Sequence, residues 1–293
     1  MQILIKSGDY AVGTAIATAV KLGLCYNRRR YDYGKSTVLS RRSTAKIRVD
    51  AQPIFILSSS PWRESSLWLE VFSRDHGRVA LVARSARKRQ SDLRGVLTPF
   101  VPLEAAWFGQ QDSYTLHTAT WRGGWAQPTG QELMSAWYVN ELLLKLTARE
   151  DAMPRLYDAL LVVMQALSRK QDTAEVLRVF EWQLLQNLGL APDLSKDTHE
   201  QSLDAAAQYW MRPEHAPFKV GSDARFSHVR EAVQVGGATL LALQGEHGWT
   251  PEVHKEALRL NRSLIQFRLP YGLRSREVLQ QLNEWKQQLN FHL

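Results

Sequence analysis

Seven basic residues lie between Arg74 and Arg94, opposed only by Asp75 and Asp92. Long cationic side chains at a strand end and in the loop after it can reach phosphate groups without being buried, so this spacing suits binding to a nucleic-acid backbone. The first candidates lie in the loop itself: Arg84, Arg87, Lys88, Arg89 and Arg94. The second candidates lie around it: Arg63, Arg74 and Arg78. The alternative is a solvated loop without a ligand.

Six aromatic residues of the same region could stack on bases: Trp62, Trp68, Trp107, Tyr114, Trp121 and Trp125. Each stacked base contributes about 1–3 kcal/mol whatever its identity, which suits a protein that holds single strands without reading their sequence. Aromatic side chains that follow strand alternation more often fill a core. We therefore take Trp62 and Trp121, which flank predicted turns, as the candidates for base stacking.

Motifs of common catalytic sites are missing, because the sequence contains no HExxH, GxGxxG, P-loop, GxSxG or paired DxD pattern. The single cysteine, Cys25, provides neither a disulfide nor a thiolate cluster for zinc. We expect no enzyme activity, no cofactor and no metal, with a hydrolytic enzyme as a remote alternative. No apolar run approaches the roughly 18 residues that span a bilayer, so we expect a cytoplasmic, nucleoid-associated protein without membrane contacts.

The net charge of +8 is concentrated in residues 1–50, which hold ten Lys/Arg and three Asp/Glu. Residues 51–293 hold 27 Lys/Arg and 26 Asp/Glu, so this part of the chain is nearly neutral and its basic clusters stand out. Residues 1–50 show no settled periodicity. One interpretation of this segment is a targeting signal, although Asp9 and Lys21 interrupt the pattern of such a signal. The other interpretations are a disordered basic arm and a start codon assigned too early.

Short β-type runs follow, separated by turn residues. They are Pro53–Leu57, Leu67–Phe72, Arg78–Ala83, Leu103–Phe108 and Tyr114–Thr118. Asp75-His76-Gly77 supplies a hairpin turn, since glycine adopts positive φ readily. Five strands in about 70 residues suit a small barrel, of which the OB-fold is the common type that binds nucleic acid. The sequence therefore predicts an OB-fold domain over residues 51–126.

Helical periodicity begins after Pro128 and predicts an all-α domain over residues 127–293. The predicted helices are Glu132–Arg149, Leu156–Leu167, Val176–Leu188, His228–Gln244, Pro251–Gln266 and Ser275–Leu289. Residues 191–227, rich in Pro, Asp, His and Gln, read as an irregular, loop-rich insert. The fold class is thus α+β and multidomain, with a barrel first and helices after it.

Eight segments then form an ordered series of motifs. They are Pro61–Leu67, Phe72–Val79, Val82–Arg87, Leu97–Leu103, Tyr138–Leu143, Arg178–Leu185, Leu188–Pro192 and Leu273–Glu277. In their order and spacing over residues 52–280 they resemble the bacterial recombination mediator family RecO. Many members carry four cysteines in the insert as a zinc site, whereas this chain has none after Pro192. The insert is therefore similar to a zinc-finger region that has lost its ligands, and we expect no zinc.

The resemblance implies a mediator of DNA repair and homologous recombination in the RecF pathway. Such a protein binds single- and double-stranded DNA, anneals complementary strands and, with RecR, assists RecA loading onto strands coated by single-stranded-DNA-binding protein. The C-terminal tail of that protein is acidic and hydrophobic, so its site needs an apolar groove rimmed by cations. Candidates for that rim are Lys145, Arg149, Arg178, Arg274 and Arg276. The alternative function is a non-catalytic interaction adaptor whose barrel binds protein.

Overall fold

Five strands build the N-terminal domain in the computed structural model, which describes residues 47–110, 113–221, 232–278 and 280–281. They are β1 (Ile47–Trp62), β2 (Ser66–Ser73), β3 (Gly77–Ala83), β4 (Leu103–Gln110) and β5 (Ser113–Trp121). Their pairings form a closed circuit in the order β1-β2-β3-β5-β4, antiparallel except for a short parallel pairing of β3 with β5. The predicted OB-fold barrel is confirmed. Residues 1–46, which carry most of the predicted basic extension, lie outside the described residues.

Strand β1 is much longer than the predicted run of Pro53–Leu57. Its pairing with β4 shifts register between Val49 and Gln52, and its pairing with β2 shifts between Ile56 and Ser58. Such irregularities bend a strand and increase its twist, so β1 can pair with both β2 and β4 in a small barrel. Because Ile47, Arg48 and Val49 already pair with β4, the barrel begins ahead of residue 51.

The β2–β3 hairpin depends on Gly77, which has a φ of +63°. A Cβ atom at this position would lie only 1.9 Å from the carbonyl oxygen of Asp151. The chain beyond the first helix thus passes directly over the turn, where the Glu150 amide donates a hydrogen bond of 3.0 Å to the Arg78 carbonyl. Glycine is required both by the backbone angle and by this close approach.

The helical domain contains five complete helices among the described residues. They are α1 (Gln131–Leu146), α2 (Pro154–Arg169), α3 (Thr173–Asn187), α4 (Gly237–Leu243) and α5 (Pro251–Arg268). Residues 274–278 and 280–281 are also helical, whereas the rest of the predicted Ser275–Leu289 helix lies outside the described residues. None of the described helices is both long and apolar enough to cross a membrane.

The insert is more ordered than an irregular loop, because it contributes two strands to a three-stranded sheet. Strands β6 (Gln208–Met211), β7 (Phe218–Lys219) and β8 (Val233–Gly236) pair in the order β7-β6-β8. The predicted His228–Gln244 helix therefore begins only at Gly237, since residues 233–236 pair with β6. The Asp197 carboxylate accepts hydrogen bonds from the amides of His199 and Gln201 at 2.8 and 3.0 Å, so it holds a turn within the insert. Within the described ranges, no group of three or more His, Cys, Asp or Glu residues could hold a metal ion.

Some outward-facing residues of the barrel and the helices share a hydrophobic core, which is separate from the core inside the barrel. Phe55, Leu57 and Phe72 face away from the barrel interior and pack against the buried residues of α1 and α2. At the register shift of β1, the buried Asn140 amide donates to the carbonyls of Ile56 and Leu57 at 3.1 and 3.0 Å. These hydrogen bonds matter because a bulge leaves ladder groups unpaired. The division of the chain at residue 126 stays a prediction, and the shared core extends across it.

Glu141, the next residue of α1, fixes the C-terminal segment. Its carboxylate accepts hydrogen bonds from the Arg274 and Ser275 amides at 2.8 and 2.9 Å, and it pairs with Lys145 at 2.9 Å. Burial alone would raise the pKa of Glu141, but the hydrogen bonds from Ser275, Lys145 and Arg274 outweigh it and lower the pKa from 4.5 to about 2. The carboxylate is thus held in its charged form.

Replacement of this carboxylate by Glu141→Gln should flatten the acid unfolding profile. A folded-state pKa below the unfolded one adds stability that is present above pH 4.5 and is lost as the pH falls towards about 2. We expect the variant to be less stable than the wild type at pH 7. The difference in the free energy of unfolding should narrow as the pH falls from 4.5 towards about 2. Urea unfolding at a series of pH values measures both profiles. A constant difference between them would contradict the prediction.

Candidate nucleic-acid interface

Six of the eight predicted phosphate-binding residues lie exposed on one part of the barrel. They are Arg63, Arg84, Arg87, Lys88, Arg89 and Arg94. Arg63 lies in the β1–β2 turn, and the other five lie in the loop that follows β3. Among the residues that the structure describes, none of these six has a carboxylate oxygen within 4.0 Å. Their charges are therefore available to a polyanion.

The loop after β3, residues 84–102, is held against the β1–β2 hairpin by its backbone. The Arg87 amide donates to the Ser65 carbonyl at 2.9 Å, and the Ser85 amide donates to the Ser66 hydroxyl at 3.4 Å. Leu93, which follows within the loop, packs on the barrel core. Fixed backbone and exposed side chains place Arg63 and the loop cations on a common surface, which we call the basic loop surface.

A groove of about 750 Å³ runs between this loop and the outer side of β5. Lys88 and Arg89 line it on the loop side, and His117, Thr118 and Thr120 line it on the strand side. Asp92 also contributes to the lining. Cations facing hydroxyl groups across a shallow groove can bind a sugar–phosphate backbone by charge and by hydrogen bonding.

Arg74 and Arg78 do not join the basic loop surface, because both are bound at the junction with the helical domain. Arg74 donates to both carboxylate oxygens of Asp158, at 3.1 and 3.2 Å, and this pairing raises its pKa. Burial lowers the pKa of Arg78, which donates to the Thr147 carbonyl at 3.0 Å and pairs with Glu70 at 3.4 Å. Arginine stays charged under such shifts, and both side chains here connect the two domains.

The two tryptophans proposed for base stacking are both exposed, Trp62 by 40% and Trp121 by 59%. Trp62 lies against Trp68 with ring centroids 5.2 Å apart, so the hairpin tip already carries an aromatic pair. Trp107 and Tyr114 are buried in the barrel, as expected for core residues. Base stacking by Trp62 and Trp121 stays a prediction that their exposure permits.

Comparison with known proteins identifies the family. Residues 51–125 match the family model described as Recombination protein O N terminal, and residues 127–277 match the one described as Recombination protein O C terminal. The chain belongs to the RecO family. It is 51% identical over 241 residues to the DNA repair protein RecO of a Neisseria meningitidis serogroup B strain, covering 82% of this chain and 92% of that protein.

More distant RecO proteins match over a similar length. The DNA repair protein RecO of Chromobacterium violaceum is 42% identical over 234 residues, covering 80% of this chain and 95% of that protein. The DNA repair protein RecO of Thiobacillus denitrificans is 37% identical over 247 residues, covering 81% of this chain and 94% of that protein. These relatives support a role in DNA repair.

The five cations predicted as a partner-binding rim in this RecO chain are mostly engaged within the protein. Lys145 pairs with Glu141, Arg149 with Glu70, and Arg178 with Glu181. Arg276 lies over the Tyr138 ring, 5.5 Å from its centroid, and donates to its hydroxyl at 3.2 Å. Arg274 is exposed and uses its backbone amide to bind Glu141. Lys145 and Arg178 thus pair within their own helices and Arg149 pairs with strand β2, and the partner-binding role of the five residues stays a prediction.

Two surface features of this RecO chain were missed from the sequence. Helix α5 exposes Leu258 between the exposed cations Lys255 and Arg262, at the i, i+3, i+7 spacing of one helix face. That spacing was visible in the sequence. On the barrel, Phe108 is exposed beside His117; alternation along β4 places it outward, next to the buried Trp107, but the sequence did not show that His117 would lie beside it.

Proposed function

We propose that this RecO chain is a DNA repair and recombination mediator that binds single- and double-stranded DNA through the basic loop surface. The observation that carries the proposal is the group of six exposed cations beside a groove, without carboxylate partners among the described residues, although residues 51–293 are nearly neutral in total. Phosphate contacts are independent of sequence, so such a surface binds any strand.

Annealing of complementary strands fits the same surface. A protein that holds a strand by its phosphates leaves the Watson–Crick edges of the bases free to pair, while its cations reduce the repulsion between two backbones. Neither step makes or breaks a covalent bond. The proposed activity therefore needs no catalytic residue, cofactor or metal.

The proposed partners follow from the family and from the helical domain. With RecR, the chain would assist RecA loading onto strands coated by single-stranded-DNA-binding protein, in the RecF pathway. The acidic, hydrophobic tail of that protein matches the exposed face of α5, where Lys255 and Arg262 flank Leu258. We propose that the protein carries out these DNA transactions in the cytoplasm, at the nucleoid.

Salt dependence tests the DNA-binding proposal directly. Each phosphate contact on a single strand contributes about −0.7 to the slope of log K against log salt concentration, so contacts from all six cations give a slope of about −4. Fluorescence anisotropy of a labelled oligonucleotide titrated with the protein at several salt concentrations measures this slope. Failure to bind any oligonucleotide at low salt would overturn the proposed function, and a slope near zero would exclude the basic loop surface as its basis.

A further inference from the structure

The outer side of β5 joins two grooves through one residue, His117. It lines the groove beside the basic loop, and it also lines a smaller one of about 130 Å³ whose other walls include Arg48 and Phe108. The second groove lies over the paired strands β1 and β4. The two grooves therefore meet at His117, and we refer to them together as a path across the barrel.

The pairing of β4 with β5 shifts register at His117, which faces this path. Between β4 and β5, Ala106 pairs with Thr118 and Trp107 pairs with Leu116, so His117 has no residue opposite it. Bulges of this kind aim a side chain in a direction that regular alternation would not give. Both His117 and its neighbour Thr118 are exposed as a result.

Phe108 and His117 form an exposed aromatic pair in the smaller groove. Their ring centroids lie 6.1 Å apart at an interplanar angle of 66°, and Phe108 is 44% exposed. Arg48 is the cross-strand partner of Phe108 and therefore lies on the same face. Its ion pair with Asp50 is exposed at both ends, so water already competes for it and a phosphate could replace the carboxylate.

We propose that the Phe108–His117 pair is a stacking site for an unpaired nucleobase, and that a single DNA strand runs from the basic loop surface across β5 to reach it. This inference rests on the proposed DNA binding. It adds the face of the barrel that the strand follows and the residues that distinguish a single strand from a duplex. The charges along the path favour a nucleic-acid strand, because Lys88 and Arg89 lie at one end and Arg48 lies at the other. Aromatic rings between these cations suit a strand whose bases are unpaired.

A duplex cannot use this site, because its bases are stacked and paired inside the helix. The site therefore favours single strands over duplexes, whereas the cations of the basic loop surface attract both. Trp62 and Trp68 at the hairpin tip form a competing stacking surface on the other side of the loop. The two surfaces predict different effects of substitution.

The test compares Phe108→Ala with wild type on a thymidine oligonucleotide and on an abasic strand of the same length. Loss of one stacked base should weaken thymidine binding about tenfold and leave abasic binding unchanged, since the phosphates are the same. Phe108→Trp should restore thymidine binding. Phe267→Ala is the matched control, because Phe267 is also 44% exposed but lies on α5, and it should change neither affinity.

Two outcomes would overturn the inference, provided that Phe108→Ala keeps the thermal transition of the wild type. Either the variant binds the thymidine oligonucleotide as tightly as the wild type does, or it loses affinity equally for the thymidine and the abasic strand. If that variant fails to fold, photocrosslinking of a 5-iododeoxyuridine strand to the wild-type protein decides: adducts at Phe108 or His117 support the site, and adducts confined to Trp62 or Trp68 refute it. Wild-type protein that binds neither strand would instead contradict the proposed function itself.

Discussion

Replacement of Arg87, Lys88 and Arg89 by glutamate is expected to weaken single-strand binding about a hundredfold or more at low salt. The change removes three phosphate contacts and places three negative charges beside the backbone. The salt slope should fall in magnitude by about 2, since each lost contact removes about 0.7. The thermal transition should stay near that of the wild type, because all three side chains are exposed and no described carboxylate pairs with them. Annealing of complementary strands should be lost in parallel.

A matched control separates local contact from overall charge. Arg155, Arg169 and Lys170 are exposed on or beside α2, so their replacement by glutamate changes the net charge equally but on the helical domain. We expect this control to bind nearly as the wild type at moderate salt, where charges beyond about 10 Å are screened. Equal losses in both triple variants would show that only net charge matters. Unchanged binding by the loop variant would mean that the loop is merely solvated, and it would favour the interaction adaptor.

The largest expected effect on stability comes from Gly77→Ala. The new Cβ would lie 1.9 Å from the Asp151 carbonyl oxygen in a backbone with a φ of +63°, so the segment after α1 must leave the hairpin. The hydrogen bond from Glu150 to Arg78 and the ion pair of Arg149 with Glu70 are then strained or lost. We expect a loss of about 3–4 kcal/mol in the free energy of unfolding, measured by urea denaturation.

Gly95→Ala provides the comparison for this prediction. Gly95 also has a positive φ, of +83°, but no atom lies within 4 Å of the Cβ that would be added. Only the backbone strain applies there, which costs about 1 kcal/mol. Equal stabilities of the two variants would show that the contact with Asp151 has no energetic weight.

Local sequence patterns were sufficient for the centres of the barrel strands and for most helices. The alternation in Leu67–Phe72 and Arg78–Ala83 and the turn at Gly77 define the β2–β3 hairpin, because all these signals are short-range. The ends of β1 were missed because Ser58-Ser59-Ser60 has no strand pattern, and its place in the sheet depends on pairing with β2. The insert strands are too short for periodicity to reveal them.

The candidate site was predicted only in part, because the partner of a charged residue can be distant in sequence. Arg74 and Arg78 resembled the loop cations in spacing, but their partners Asp158 and Thr147 belong to the helical domain. The motif residues Asn140 and Glu141 bind β1 and the C-terminal segment. The motifs that suggested the family thus largely hold its parts together, whereas most of the exposed loop cations lie between them.

Charged and apolar contacts together connect the barrel to the helical domain. Glu70 pairs with both Arg78 and Arg149, Tyr114 donates to Glu150 at 2.9 Å, and the core continues from one domain into the other. These contacts join the barrel to the helical domain that carries α5. Under the proposed function, the angle between a partner on α5 and a DNA strand on the basic loop surface would therefore depend on this junction.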